Sequence, residues 1–382
     1  SSKPIFYSAE AKQYSTDALA TLALLFIVPT FLERQVKPRS FVILAVAGSV
    51  IIWISQPSCF VLAGIFLTLA LTYALRRDTV YLYWLIGIGA AWGLSLGLNY
   101  LISLRYMASN NYLFNYWQGN FAPLPPWDHF SWYENTFTAM LKDPATLPVS
   151  AITLGLLVLG IFSFAVKRWQ YLLISLTPFL LALCASAIRK YPLQGRLLLF
   201  LLPLLVLLLA EGINRFVTVL ERINKPLAWL VYAALIVFFV RGQITVDHSN
   251  LKSPDMGEDI KPVLSYIREN YQSTDLIYVY YSAYPAFEFY APAYGFDPKY
   301  DIDGIKSRND PQKYLADVDQ LKGNARVWFV FTHIFVGAVN EQNYMVYHLQ
   351  KIGTKYAEYS SPGATVYLFN LEQIHSQTHP IH

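Results

Sequence analysis

Charge is what this sequence has least of. Of its 382 residues only 14% are Asp, Glu, Lys or Arg, where a soluble domain carries about a quarter. That deficit argues against one enlarged soluble globule, because the apolar residues, 55% of the chain, are gathered into runs rather than spread. Cysteine is almost missing as well. Cys59 and Cys184 both lie in apolar stretches and read as small buried hydrophobes. Beyond Gln243 there is no cysteine, so that part needs no disulfide whichever side of a membrane it faces. The chain opens Ser-Ser-Lys without a Met or a signal-peptide pattern. Starting so close to its first apolar run, it is expected to be a piece of a longer protein.

What is present is a set of about eight apolar segments: 16–33, 40–56, 57–75, 80–104, 147–166, 171–188, 196–214 and 227–242. Crossing the roughly 30 Å hydrocarbon layer takes about 20 mainly apolar residues, and Pro29, Pro178 and Pro203 are tolerated in membrane helices. The expected fold is therefore a polytopic α-helical membrane bundle over 1–242, with an outer loop at 105–146, followed by a small extracytoplasmic α/β domain over 243–382. The two parts differ in charge: residues 1–242 carry 18 Lys and Arg against 9 Asp and Glu, and residues 243–382 carry 11 against 16. Along the first part, basic connections alternate with connections of other character. Arg34, Lys37 and Arg39, then Arg76 and Arg77, then Lys167 and Arg168, then Arg215, Arg222 and Lys225 fall on one side, which the positive-inside bias makes the cytoplasm. The C-terminal domain then faces away from it.

In 243–382 the pattern changes to short alternating elements. Helical spacing over 258–270, 311–321 and 341–352 alternates with apolar β-rich runs at 276–281 and 326–332, and a Pro362-Gly363 turn joins two last strands. This predicts a small α/β sandwich with a mainly parallel core, and Gly353 reads as a helix C-terminal cap. Tyr281-Ser282-Ala283-Tyr284 stands where a phosphate-cradling loop would follow the first strand, so no nucleotide binding is expected. The tail with His375, His379 and His382 fits no zinc spacing.

Three stretches could carry chemistry. Tyr7-Ser8-Ala9-Glu10-Ala11-Lys12-Gln13-Tyr14-Ser15-Thr16-Asp17 leads into the first span, and Glu10, Tyr14 and Asp17 share a face if it is helical. It reads either as a solvated, N-capping approach or as a polar floor for a charged headgroup. Arg189-Lys190-Tyr191-Pro192-Leu193-Gln194-Gly195-Arg196 is a tight turn with three cations on the outer side, against the charge bias. Arg offers a planar fork for phosphate oxygens and Lys a point charge; snorkelling to lipid headgroups is the alternative. Loop 105–146 is aromatic, with Trp117 among its rings, and reads as an interfacial belt or as a wall over a groove. Trp127-Asp128-His129 would be its polar insertion.

The segment Tyr7 to Asp17 before a long Leu/Ala span resembles a segment of bacterial family-39-like glycosyltransferases of the GT-C superfamily. Ser55-Gln56-Pro57-Ser58, the stretch from Tyr116-Trp117-Gln118-Gly119 to Pro126, and Tyr191-Pro192 to Arg196 before a Leu-rich helix are similar too. The resemblance implies a multi-pass enzyme of the bacterial cytoplasmic (inner) membrane that moves a sugar from a polyprenyl-phosphate donor to a glycan, lipid or protein acceptor on the non-cytoplasmic face. The family's acidic catalytic motif lies upstream of the matching segment, so the catalytic residues are not assigned here. The implied chemistry is an inverting displacement, with a carboxylate deprotonating the acceptor hydroxyl and cations stabilising the departing lipid phosphate. Arg189, Lys190, Arg196 and Lys12 would bind that phosphate. Glu10, Tyr14, Asp17, Trp117, Asp128 and His129 would meet sugar or acceptor. No cofactor is evident, a divalent metal stays open, and no nucleic-acid partner is expected. The competing class is a lipid-linked-sugar transporter or flippase with an outer sensor domain, which would favour polar groups at mid-membrane and internal repeats. A non-catalytic receptor would leave the basic turn without purpose.

Overall fold

The computed structural model describes residues 14–33, 35–108, 116–252, 258–299, 301–308, 310–334 and 340–372, with side chains throughout except at 107–108 and 242–252. Its contacts divide the chain into two units, Ser1–Lys252 and Ser253–His382. The division falls ten residues after the boundary read at 242, because the last long helix continues through Lys252.

Each of the eight apolar segments is a helix. They are α1 (Tyr14–Leu32), α2 (Pro38–Ile54), α3 (Ser58–Leu75) and α4 (Thr79–Asn99, prolonged by a wider π turn over Tyr100–Leu104). After the short helix α5 (Phe130–Lys142) come α6 (Ala151–Lys167), α7 (Trp169–Ala187), α8 (Leu202–Glu221, entered through a 3-10 turn at Gly195–Leu201) and α9 (Lys225–Lys252). Among the described residues five helices, not eight, are long and apolar enough to cross a membrane: Tyr14–Leu32, Ser58–Leu75, Thr79–Leu104, Trp169–Ala187 and Gly195–Glu221. α2 and α6 are equally apolar but have 17 residues each, about 25 Å of helix. Pro57 stops the first, and Arg168 follows Lys167 at the end of the second.

Most of these helices bury one stripe, such as Leu24, Val28 and Phe31 on α1 or Phe41, Leu44 and Ile52 on α2, whereas α9 buries only Ala228 among its described side chains. The opposite stripes are apolar too: Phe26 is 83% exposed, and Val158, Phe162 and Val166 lie between 65% and 68%. Helices apolar on every side are what a lipid environment requires. Close approach fixes the α6–α8 pair. A Cβ on Gly160 would stand 2.0 Å from the Leu208 carbonyl oxygen, and one on Gly212 would stand 1.9 Å from that of Leu156, the small-residue contact common between membrane helices. Beside it Ser163 donates a 2.6 Å hydrogen bond to Glu211. At the basic end, Arg76 Nη1 and Nη2 donate to the carbonyls of Glu33 (2.8 Å) and Leu32 (2.7 Å), satisfying the free end of α1. The C-terminal ends of α1 and α3 therefore lie together, as the alternation of basic connections requires.

The second unit contains α10 (Lys261–Asn270), β1 (Leu276–Val279), α11 (Tyr284–Tyr290), β2 (Ile302–Asp303), α12 (Gln312–Asp319), β3 (Val327–Thr332), α13 (Glu341–Ile352), β4 (Thr354–Ser361) and β5 (Ala364–Asn370). The sheet order is β2-β1-β3-β5-β4. It is mixed rather than mainly parallel: β1 pairs in parallel with β2 and β3, whereas β3/β5 and β5/β4 are antiparallel. The hairpin at Pro362-Gly363 reverses the chain, and β5 then lies against β3 in the register Val327↔Phe369 to Thr332↔Ala364. All of β3 is buried, which its unbroken apolar run demands. Gly353 has extended backbone rather than the left-handed cap conformation. It is needed for space, since a Cβ there would meet the Asn370 carbonyl oxygen at 2.3 Å.

Two buried carboxylates of this unit, Asp275 and Glu341, are paired. Asp275 accepts hydrogen bonds from Arg326 Nε (2.7 Å), Trp328 Nε1 (2.7 Å) and the Gln272 amide (3.1 Å). Glu341, buried at the start of α13, accepts from the hydroxyls of Tyr280 and Tyr281, and Arg308 donates to Tyr281. Burial pushes the Tyr280 phenol well above its ordinary range, with the Glu341 contact next in effect.

Candidate functional site

Segments far apart in sequence converge at the N-terminal end of α1. Tyr14 and Asp17 stand on its first turns, and Asp17 is buried at 3% exposure inside an otherwise apolar helix. Its Oδ1 has no hydrogen-bond partner among the described residues, and the Ser55 side chain faces the carboxylate. Ser55 and Ser58, in the tight turn between α2 and α3, are fully buried, and Ser58 donates to Ser55 at 2.6 Å. That turn exists because Pro57 cannot continue α2 yet suits the approach to a new helix.

The third contributor is the basic turn after α7. Its backbone follows a helix-ending motif in which Arg189 N–H donates to the Ser186 carbonyl and Lys190 N–H to that of Ala185, both at 2.8 Å. Arg189 adopts φ 58° there, a left-handed position that normally goes to glycine and costs another residue roughly 1–2 kcal/mol. Arg189 and Lys190 are exposed. Tyr191 is the pivot of the turn. Its hydroxyl donates to the Leu197 carbonyl at 2.6 Å, and its ring meets Phe60 and Phe200 edge-on at 5.3 and 6.0 Å. Burial pushes its phenol well above the ordinary range, and the nearby Asp17 adds to the shift. Arg196 places its guanidinium 5.2 Å from the centre of the Tyr14 ring, within cation–π range. Residues 14–17, 55–58 and 191–196 thus form one patch.

Loop 116–146 covers the same end. Leu193 N–H donates to the Asn120 carbonyl (2.9 Å), and Ala122 N–H to the Ser186 hydroxyl (2.8 Å). Trp117 is half-buried against Tyr116 in this strap. The strap leads through a 3-10 turn at Pro126–Asp128 into α5, a helix the proline-rich sequence conceals. A cleft of about 230 Å³ lies between α5 and the turn, lined among others by Asn120, Trp132, Asn135, Gln194 and Leu198.

Of the residues singled out in the sequence, Tyr14, Asp17 and Arg196 come together, with Arg189 and Lys190 on the same turn. Asp128 and His129 are exposed, and among the described residues no hydrogen bond or ion pair ties them to the patch. Glu10 and Lys12, like the histidine tail, lie outside the described residues. Sequence reasoning passed over Ser186, which ties the strap to α7, and the whole cleft; a serine near a helix end carries no signal of its partner. Among the described residues no group of three His, Cys, Asp or Glu is placed to hold a metal ion. Compared with known protein families, curated proteins and solved structures, the chain matches none.

Proposed function

We propose that this chain acts as a membrane glycosyltransferase of GT-C type, and that its patch holds the phosphate of a polyprenyl-phosphate sugar on the non-cytoplasmic face of a bacterial inner membrane. In this reading all eight apolar helices span or enter the bilayer, the basic connections are cytoplasmic, and the C-terminal domain is extracytoplasmic. The observation that carries the proposal is the meeting of Arg196 with Tyr14 beside the buried Asp17 and the 55–58 turn. Snorkelling needs no buried carboxylate and no aromatic partner for the arginine. A site that binds a phosphate and the hydroxyls next to it uses both: Arg196, Arg189, Lys190 and Lys12 for the anion, and Asp17 with Glu10 for hydroxyls or for orienting a cation. Cations there stabilise the charge that grows on the leaving lipid phosphate, so no acid is required. No residue of this chain is assigned as the base that takes the acceptor's proton.

The strained backbone at Arg189 supplies a separating test. Glycine there should relieve the left-handed conformation and leave the fold as stable or more so, yet remove a phosphate contact. In a transfer assay with a polyprenyl-phosphate sugar, Arg196→Ala and Arg189→Gly should each lose roughly ten- to a hundredfold, the effect of about 1.5–3 kcal/mol for a charge-assisted contact. Arg196→Lys should recover only part, because the planar fork is gone. Wild-type transfer by all of these variants would leave the turn as a membrane anchor.

A further inference from the structure

The cleft between α5 and the basic turn differs from the patch beside it in having no ionisable side chain in its lining. Its polar groups are the amides of Asn120, Asn135 and Gln194 and the hydroxyl of Thr136; its apolar ones include Trp132 and Leu198. The three amide side chains form no hydrogen bond with the described residues, so their donors and acceptors are free for a ligand. Trp132 is already fixed, its indole N–H donating to the Gly119 carbonyl at 3.1 Å and its ring set edge-on against Tyr133. A preset aromatic surface with neutral donors and acceptors around it suits a molecule with apolar C–H faces and a rim of hydroxyls. At about 230 Å³ the cleft is smaller than the roughly 300–1,000 Å³ of drug-sized sites, and its scale is that of a single ring. Gly195 lines it, and the next residue is Arg196.

We propose that this cleft is a subsite for one uncharged monosaccharide unit, such as a hexose or an N-acetylhexosamine. The inference rests on the reading of Arg196 as a phosphate holder only for which sugar the cleft takes, that of the donor or that of the acceptor. An amine or carboxylate on the ring would find no counter-charge in the lining and would lose hydration without compensation.

The test reads binding, not turnover. Saturation-transfer NMR on the full chain in nanodiscs should show methyl glucoside and methyl N-acetylglucosaminide bound, with no signal from glucosamine or glucuronate that depends on Asn135. Asn135→Ala should weaken the neutral sugars about two- to tenfold, the loss of one neutral hydrogen bond, and Trp132→Leu should weaken them further. Asn135→Asp, on an exposed helix position where folding is not at stake, should admit glucosamine. The same sugar carried on a short polyprenyl phosphate should bind more tightly than its methyl glycoside, with the gain lost in Arg196→Ala, if the cleft takes the donor's sugar; equal affinity assigns it to the acceptor. Failure of the phosphate reading would appear instead as sugar-free polyprenyl phosphate that does not bind, or that binds equally well to wild type and Arg196→Ala, with neutral-sugar binding intact. No neutral-sugar binding, or binding indifferent to Asn135 and Trp132, would overturn the subsite.

Discussion

Asp301 in the second unit is held where its own charge is disfavoured. Both carboxylate oxygens are buried without a hydrogen-bond partner among the described residues. Desolvation pushes its pKa up to about 6, and Asp303, Glu288 and Asp297 add to the rise. A folded-state pKa above the unfolded value means the protonated form is preferred in the fold. The stabilisation is then complete below about pH 4, the ordinary carboxylate value, and lost as pH rises through about 6. Asp301→Asn should therefore leave stability at pH 4 nearly unchanged and raise it at pH 7.5 by about 1 kcal/mol, after discounting for the solvent that reaches this half-buried site. Hydrogen exchange of the β1 and β3 amides at the two pH values measures this; an identical pH profile in the variant would count against it. At this scale the sequence was only partly legible. The cations of the basic turn stood out because they oppose the charge bias. The burial of Asp17 did not, because turns about 40 and 175 residues further along the chain cover it, and local spacing at a helix start is the same whether or not anything packs there.

At the scale of elements, helix positions were legible because lipid-facing and core-facing stripes are both apolar, leaving long uninterrupted runs. Span lengths were less so: the run at 147–166 has 20 residues, but the Ser150 cap starts its helix at Ala151 and leaves 17, while the 17-residue run at 40–56 keeps its length and shifts to Pro38–Ile54 ahead of Pro57. In the second unit the buried strands declared themselves by composition. The mixed sheet did not, since a hairpin of two strands reads alike whether it extends a parallel sheet or stands apart; only the β3/β5 register decides it. Gly160 and Gly212 show the same limit, as two ordinary glycines in Leu-rich runs whose meaning is their mutual approach. Gly160→Leu should drive α6 and α8 apart and destabilise the bundle by at least about 2 kcal/mol, as overpacking does. A lowered thermal midpoint in detergent, with α10–α13 amides still protected from exchange, is the expected result. An unchanged midpoint would mean the helix pair tolerates separation.

The whole molecule is organised by which end of the bundle each connection reaches. Arg76 on the α1 terminus marks one end, and the meeting of α1's start with the 55–58 and 191–196 turns marks the other. This agrees with the alternation of charge read along the sequence and leads to the proposed orientation. In a background with Cys59→Ala and Cys184→Ala, an impermeant thiol reagent applied to intact cells should label Lys313→Cys, whose parent side chain is 66% exposed, and not Lys37→Cys; the reverse pattern would invert the topology. The central claim is narrower, that the outer patch of this chain binds a lipid phosphate. It is tested most directly by titrating the purified full chain in nanodiscs with a short polyprenyl phosphate and following the lipid's phosphorus resonance. The account predicts saturable binding that Arg196→Ala weakens about ten- to a hundredfold and that Asp128→Ala, away from the patch, leaves alone. Absence of saturable binding, or equal affinity in wild type and Arg196→Ala, would contradict it.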